Sequence, residues 1–444
     1  MSGLGASEPM AARGIFGTVL DAVAAPAFRQ ALTVVILGLA LATPFVRVIV
    51  GWPGEVAALI VILAAATLSL VARRREIEWR GILPVSLLAF GGWMTLSVLW
   101  SEYTWASAGG IIYTLTFALL GAFIALSRDL IQVVRALGDV LRAILLASIV
   151  LEIVSGILID LPLPFLGIAG DLAIGGPIQG IAGTRNALGF LAGLAILTFW
   201  IEFRTQSLRR SIGIPFLVLA GLVVALSRSP VTVVTLGAVG LAGLLLVVLR
   251  RIPPRARPSV QATFFVAGIV AAIVMWAARD RILALLDATS DFEARIGVWQ
   301  QLSALSDRHP VEGWGWVGVW PSSVFPFSSV RLPSGRHVGS ALNGFVDTWF
   351  QLGLIGLVLL ILALGLGFVR SWLVASETRS TINVWPALTL ALLAVTGMAE
   401  SYLIAEGGIT LGVVACIAAA RKRSWRRLLS EVDAPVVNDD ASPS

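Results

Sequence analysis

Residues 212–249 read IGIPFLVLAGLVVALSRSPVTVVTLGAVGLAGLLLVVL. Two apolar runs, 212–227 and 230–249, meet at Ser227-Arg228-Ser229-Pro230, and no charge interrupts either run. A helix rises about 1.5 Å per residue, so runs of roughly 18 residues can cross about 30 Å of hydrocarbon. The pair therefore reads as a membrane hairpin with Arg228 at its tip. The same pattern recurs on both sides, giving spans at 30–50, 53–72, 82–100, 108–127, 141–160, 186–203, 212–227, 230–249, 260–278, 341–369, 384–402 and 405–420. Composition agrees: 444 residues, 57% apolar and only 13% charged, with mean hydropathy +0.91, fall outside the range of soluble domains. A membrane barrel would need short alternating segments, which are absent. The fold class is all-α, a polytopic membrane protein of about twelve transmembrane helices.

Most of the 32 Lys and Arg residues sit in segments that share one side if the N-terminus is cytoplasmic. These include Arg73-Arg74-Arg75, Arg80, Arg128, Arg204, Arg250, Arg251, Arg370 and the cluster from Arg421 to Arg427. The skew follows the positive-inside rule and puts both termini in the cytoplasm. The resulting division is a cytoplasmic segment 1–29, spans one to nine over 30–278, an extracytoplasmic loop 279–340, spans ten to twelve over 341–420, and a basic then disordered tail 421–444. The small-residue cluster Ala24–Ala27 precedes the first apolar run rather than following it, so that run is expected to stay as an uncleaved span. Cys416 is the one cysteine, which leaves no disulfide framework.

Against this background the outer arginines are informative: Arg185, Arg228, Arg279, Arg281, Arg295, Arg308, Arg331 and Arg336. An Arg at a membrane mouth is costly unless it meets water or an anion. Arg228 either snorkels at the hairpin tip or binds an anionic headgroup. Arg185 either binds likewise or pairs with Asp171 of its own loop, the Pro- and Gly-rich segment 161–185. In the large loop, Ser290-x-x-Glu293 has capping-box spacing, and Phe292, Ile296, Trp299 and Leu302 suggest one apolar helix face. Arg295 lies in the first turns of that helix, where backbone N–H groups also favour an anion.

Both histidines fall in this loop. His309, before Pro310, reads as structural. His337, near a span mouth, is either an interfacial loop residue or a general base, since imidazole ordinarily titrates nearest neutrality. Asp347, one to two turns below the mouth of span ten, orients His337 or an arginine, or simply bonds to its neighbours. Asp291-x-Glu293 fits helix capping as well as metal ligation, and no second ligand set accompanies it, so neither a metal nor another cofactor is expected.

Several stretches resemble the O-antigen ligase and polysaccharide polymerase superfamily of bacterial envelope proteins. They are Ser97-x-x-Trp100-Ser101, Gly183-Thr184-Arg185-Asn186-Ala187-Leu188-Gly189, Ser227-Arg228, Arg295-x-x-x-Trp299 with Pro310-x-x-Gly313-x-Gly315, and Asn343-Gly344-Phe345 running to Gln351-Leu352-Gly353-Leu354-Ile355-Gly356. Together they cover roughly residues 90–360. The resemblance implies a metal-independent, inverting glycosyltransferase of the inner (cytoplasmic) membrane. It would move a glycan from an undecaprenyl diphosphate carrier to an acceptor hydroxyl of another glycan or lipid, on the extracytoplasmic face. It further implies that Arg228 and Arg295, with Arg185, hold the diphosphate, that Asn186, Trp299 and Asn343 support the site, and that nucleic acid is not a partner. The family's His before the Asn of the last motif is Leu342 here, so His337, five residues earlier, is the expected source of the imidazole. The rival reading is a transporter or flippase of lipid-linked glycans. That reading would line a midplane path with charge and leave mostly short outer loops.

Overall fold

The computed structural model describes residues 21–75 and 84–422. Arg13, Arg80, the first residues of the span expected at 82–100 and the tail beyond Lys422 lie outside the described residues. Among those described there is no strand, only isolated bridges at Leu163–Ile168 and Arg331–His337. The helices are α1 (Pro26–Leu41), α2 (Thr43–Ala72), α3 (Val85–Leu96), α4 (Thr104–Ser127), α5 (Leu130–Ile153), α6 (Arg185–Thr205), α7 (Arg210–Ser227), α8 (Pro230–Arg251), α9 (Arg257–Ala277), α10 (Arg279–Leu285), α11 (Thr289–Ser306), α12 (Gly344–Glu377), α13 (Val384–Gly397) and α14 (Glu406–Lys422). Among the described residues eight helices are long and apolar enough to cross a membrane, and α1, α3 and α13 are shorter apolar helices.

Element boundaries follow Pro and Gly. The run expected as one span at 30–50 is divided at Ala42, two residues before Pro44, which has no N–H to continue the helix. Thr43 Oγ1 donates to the Leu39 carbonyl at 2.7 Å across the break. The turn expected near residue 51 is a break within α2, with Gly51 at φ 69° and ψ 174° and Pro53 just after it.

Helix α12 packs against α3, α13 and α14 and is itself broken at Gly353 (φ 66°, ψ −168°). The loop 310–315 fills that break. Trp314 N donates to Phe350 O (3.2 Å), Gly315 N to Gln351 O (2.8 Å), Leu354 N to Pro310 O (3.0 Å) and Ile355 N to Val311 O (3.3 Å). Trp93 Nε1 donates to Leu352 O at 3.0 Å, so backbone groups released by the break find partners, as an apolar environment demands. Contact is backbone to backbone: a Cβ on Gly353 would stand 2.1 Å from Val311 O, and one on Gly313 (φ 72°) 2.4 Å from Gly353 N. The spacing Pro310-x-x-Gly313-x-Gly315 and the glycine of Gln351-Leu352-Gly353 are two halves of one joint.

Helix α11 differs from expectation at its start. Its N-cap is Ala288, with no side-chain cap, so Ser290 and Glu293 do not form a capping box. Phe292 N already bonds Ala288 O at 3.0 Å. The helix thus begins before Ser290, and the Asp291 carboxylate is drawn to Arg185. Its buried residues are Val298, Leu302 and Ser306, a face rotated from the expected Phe292–Trp299 line, although those two rings still meet edge to face at 6.4 Å.

Candidate functional site

Helices α6 and α8 both begin on one rim of the molecule, and side chains at their first turns interlock. Thr184 caps α6, accepting from Ala187 N at 3.1 Å, and its hydroxyl meets Tyr402 OH at 3.0 Å. Ser229 caps α8, accepting from Thr232 N at 3.2 Å, while donating to Asn186 Oδ1 at 2.8 Å. Asn186 Nδ2 donates to Glu400 Oε1 at 2.5 Å. These caps join two helix N-termini, each with unpaired N–H groups and positive potential.

The loop helix α11 adds Arg295. Its Nε donates to Ala399 O at 3.0 Å, Nη1 to Asp291 O at 3.0 Å and Nη2 to Glu400 Oε1 at 2.8 Å. The Arg295 and Glu400 side chains are only 11% and 10% exposed, so this ion pair is buried and hydrogen-bonded throughout. Arg185 pairs with the Asp291 carboxylate, not with Asp171. Arg185, Asn186 and Arg295 thus belong to one network, linked through Asp291 and Glu400.

Arg228 stands apart chemically. At φ 47° it turns the chain from α7 into α8 and is exposed, and its side chain has no hydrogen bond or ion pair among the described residues. Its Nη2 lies over Gly175, where a Cβ would stand 3.2 Å away. The adjacent Ser229 is bonded into the Asn186 network. Three guanidinium groups (Arg185, Arg228, Arg295) therefore face two carboxylates (Asp291, Glu400). The surplus positive charge resides on the one arginine without a partner.

The supporting residues close the floor. Asn343 caps α12 through Phe345 N (2.9 Å) and Val346 N (3.2 Å), and its Nδ2 donates to Met398 O at 2.8 Å. Trp299 Nε1 donates to Ala341 O at 2.9 Å. Asp347, buried, accepts four bonds: from Trp320 Nε1 (2.9 Å), Gln351 Nε2 (2.7 Å), Ala341 N (3.1 Å) and Ser401 Oγ (2.8 Å). Of the roles open to Asp347, bonding to neighbours is the one observed, and it holds neither His337 nor an arginine.

His337 lies across the Arg331 bridge and is half-buried, with Nε2 3.2 Å from Phe327 O. A carbonyl can only accept, so this bond places a proton on Nε2. No hydrogen bond joins His337 to the arginine network. His309 is tied to Glu312 at 2.9 Å and stacked edge-on against Trp314 at 4.5 Å. Its imidazole holds the Glu312 carboxyl below the usual carboxylate range.

Glu400 is the residue that sequence reasoning missed. The available signal was a carboxylate in the apolar run 384–402, a position where an ionisable group ordinarily has a partner. The same signal marks Glu55 and Glu406, which share Arg47.

No curated protein matches the chain. The O-antigen ligase family model matches residues 214–361, a stretch that contains Arg228, Arg295, His337, Asp347 and the Gly313–Gly353 joint. Over that stretch the chain, with its many membrane-length apolar helices, is similar to the O-antigen ligase family.

Proposed function

We propose that the chain is a metal-independent, inverting glycosyltransferase of the inner membrane that acts at the extracytoplasmic face. It spans the bilayer about twelve times with both termini in the cytoplasm, and the loop 279–340 covers the outer mouth. Its donor is a glycan on an undecaprenyl diphosphate carrier, and its acceptor is a hydroxyl of a second glycan or a lipid. The observation that carries this reading is the surplus guanidinium of Arg228 beside the Arg185–Asp291–Arg295–Glu400 network.

In this mechanism the diphosphate sits against Arg228 and the N-termini of α6 and α8, with Arg185 and Arg295 at its flanks. Negative charge grows on the leaving diphosphate as the anomeric carbon–oxygen bond breaks. Arg offers planar, permanently charged donors for that charge, and preorganised donors stabilise the transition state more than the ground state. Glu400 and Asp291 hold two of the guanidiniums in place, which avoids reorganisation during the reaction. His337 takes the acceptor proton at Nδ1 as the hydroxyl oxygen attacks, and Asp347 acts by fixing the Ala341–Ser401 floor rather than by touching substrate.

The test is purified protein in lipid nanodiscs supplied with an undecaprenyl diphosphate glycan and candidate acceptors. Release of undecaprenyl diphosphate with a new glycosidic bond is the expected result. Movement of intact donor across proteoliposomes without cleavage overturns the reading in favour of a flippase.

A further inference from the structure

A second polar cluster lies a short distance along the chain from Glu400. Arg47 grips Glu55 with two bonds, Nε to Oε2 at 2.8 Å and Nη2 to Oε1 at 3.2 Å. Its Nη2 also donates to Tyr113 OH (2.9 Å) and Glu406 Oε1 (3.2 Å). Tyr113 OH stands 2.6 Å from Glu55 Oε1 and 2.7 Å from Glu406 Oε1. Arg47 and Tyr113 thus compensate a Glu55 side chain with no exposure at all, since a charge is buried only when it is compensated.

Every one of the Glu406 side-chain bonds is made through Oε1, and Oε2 has no partner among the described residues. Glu406 lines a cavity of about 80 Å³ together with Tyr113, Ser340, Asp347 and Ser401. Two of its walls belong to the segments that carry the transfer reaction. Ser401 follows Glu400, which holds Arg295, and Ser340 is three residues beyond His337. The cavity therefore lies between the chain segment that anchors the diphosphate site and the segment that bears the base.

We propose that this cavity is an acceptor subsite. It takes a hydroxymethyl arm of the acceptor sugar, with Glu406 Oε2 accepting a hydrogen bond from the arm's hydroxyl. Arg47 and Tyr113 are positioning residues that keep Glu406 turned toward the arm. The cavity has room for a –CH2OH group. The acceptors selected are those that present a primary hydroxyl next to the one that reacts. No bond is made or broken in the cavity. The proposal rests on the glycosyl transfer described above.

The test compares methyl β-glucoside with methyl β-xyloside, which lacks the hydroxymethyl arm, as acceptors for the full chain in nanodiscs. The wild type is expected to favour the glucoside at least tenfold in kcat/KM. Glu406→Gln and the cavity-filling Ser340→Leu are each expected to raise KM for the glucoside about tenfold and to bring the preference close to one. Kd for undecaprenyl diphosphate stays unchanged in both. Tyr113→Phe is expected to move the preference part of the way. An active wild type with unchanged glucoside KM in both Glu406→Gln and Ser340→Leu overturns the subsite alone. A wild type that transfers to no acceptor overturns the transfer reading and the subsite with it.

Discussion

Arg228 and Glu400 make opposite demands on the site, and substitutions separate them. At φ 47° any side chain other than glycine carries similar backbone strain, and Arg228 has no bond to lose. Arg228→Ala is therefore expected to keep the melting temperature within about 2 °C while lowering the rate of undecaprenyl diphosphate release roughly 10²- to 10³-fold, the usual cost of removing one charge-stabilising donor. Glu400→Ala instead leaves the buried Arg295 guanidinium without its carboxylate. Breaking a buried pair costs about 3–5 kcal/mol, so the variant should melt well below wild type in detergent and lose activity with its fold. At this scale the sequence was partly legible. Arg228, Arg185 and Arg295 stood out because arginine at a membrane mouth needs a reason. Glu400 did not, because the acid that neutralises Arg295 lies 105 positions away, and sequence spacing carries no trace of that pairing. His337 remained ambiguous for the same reason: its surroundings are set by the fold of the loop, not by its neighbours in sequence.

Among the elements, hydropathy located the apolar helices well and their interruptions poorly. The breaks at Ala42, Gly51 and Gly353 fall inside runs whose composition does not change, and they depend on single Pro or Gly residues. The joint between Gly313 and Gly353 is the clearest case, since both glycines were visible as motif letters but their shared purpose was not. Gly353→Ala is expected to be severe: the methyl group would occupy the position of Val311 O, and left-handed angles add about 1–2 kcal/mol for any residue with a Cβ. Little folded protein should survive detergent extraction, as judged by a monodisperse peak in size-exclusion chromatography. Gly297→Ala serves as the contrast. Its added Cβ would make only ordinary contact with Pro333 Cγ at 3.5 Å, and its elution profile should match wild type.

For the whole molecule, the arginine asymmetry and the proposed topology make a test that needs no substrate. Cys416 is buried and is the one cysteine of the chain, so a Cys416→Ser background is suited to single-cysteine mapping. Ser334→Cys, in the outer loop, should react with a membrane-impermeant maleimide in intact cells. Ser380→Cys, in the link between α12 and α13, should react only after the cells are opened. Reaction of Ser380→Cys but not Ser334→Cys from outside would reverse the orientation and move the arginine network to the cytoplasmic face.

The loop that completes α12 has a consequence for how the protein is made. Residues 310–315 leave the ribosome before the helix they complete, so in the proposed topology the partners for the Phe350, Gln351, Leu354 and Ile355 backbone groups are already across the bilayer when that helix arrives. Translation order alone would thus spare the cell a stage in which a nicked helix waits in oil with its peptide groups bare. Moving this loop to a later place in the chain, by circular permutation, would remove that protection even though every contact of the finished protein could still form.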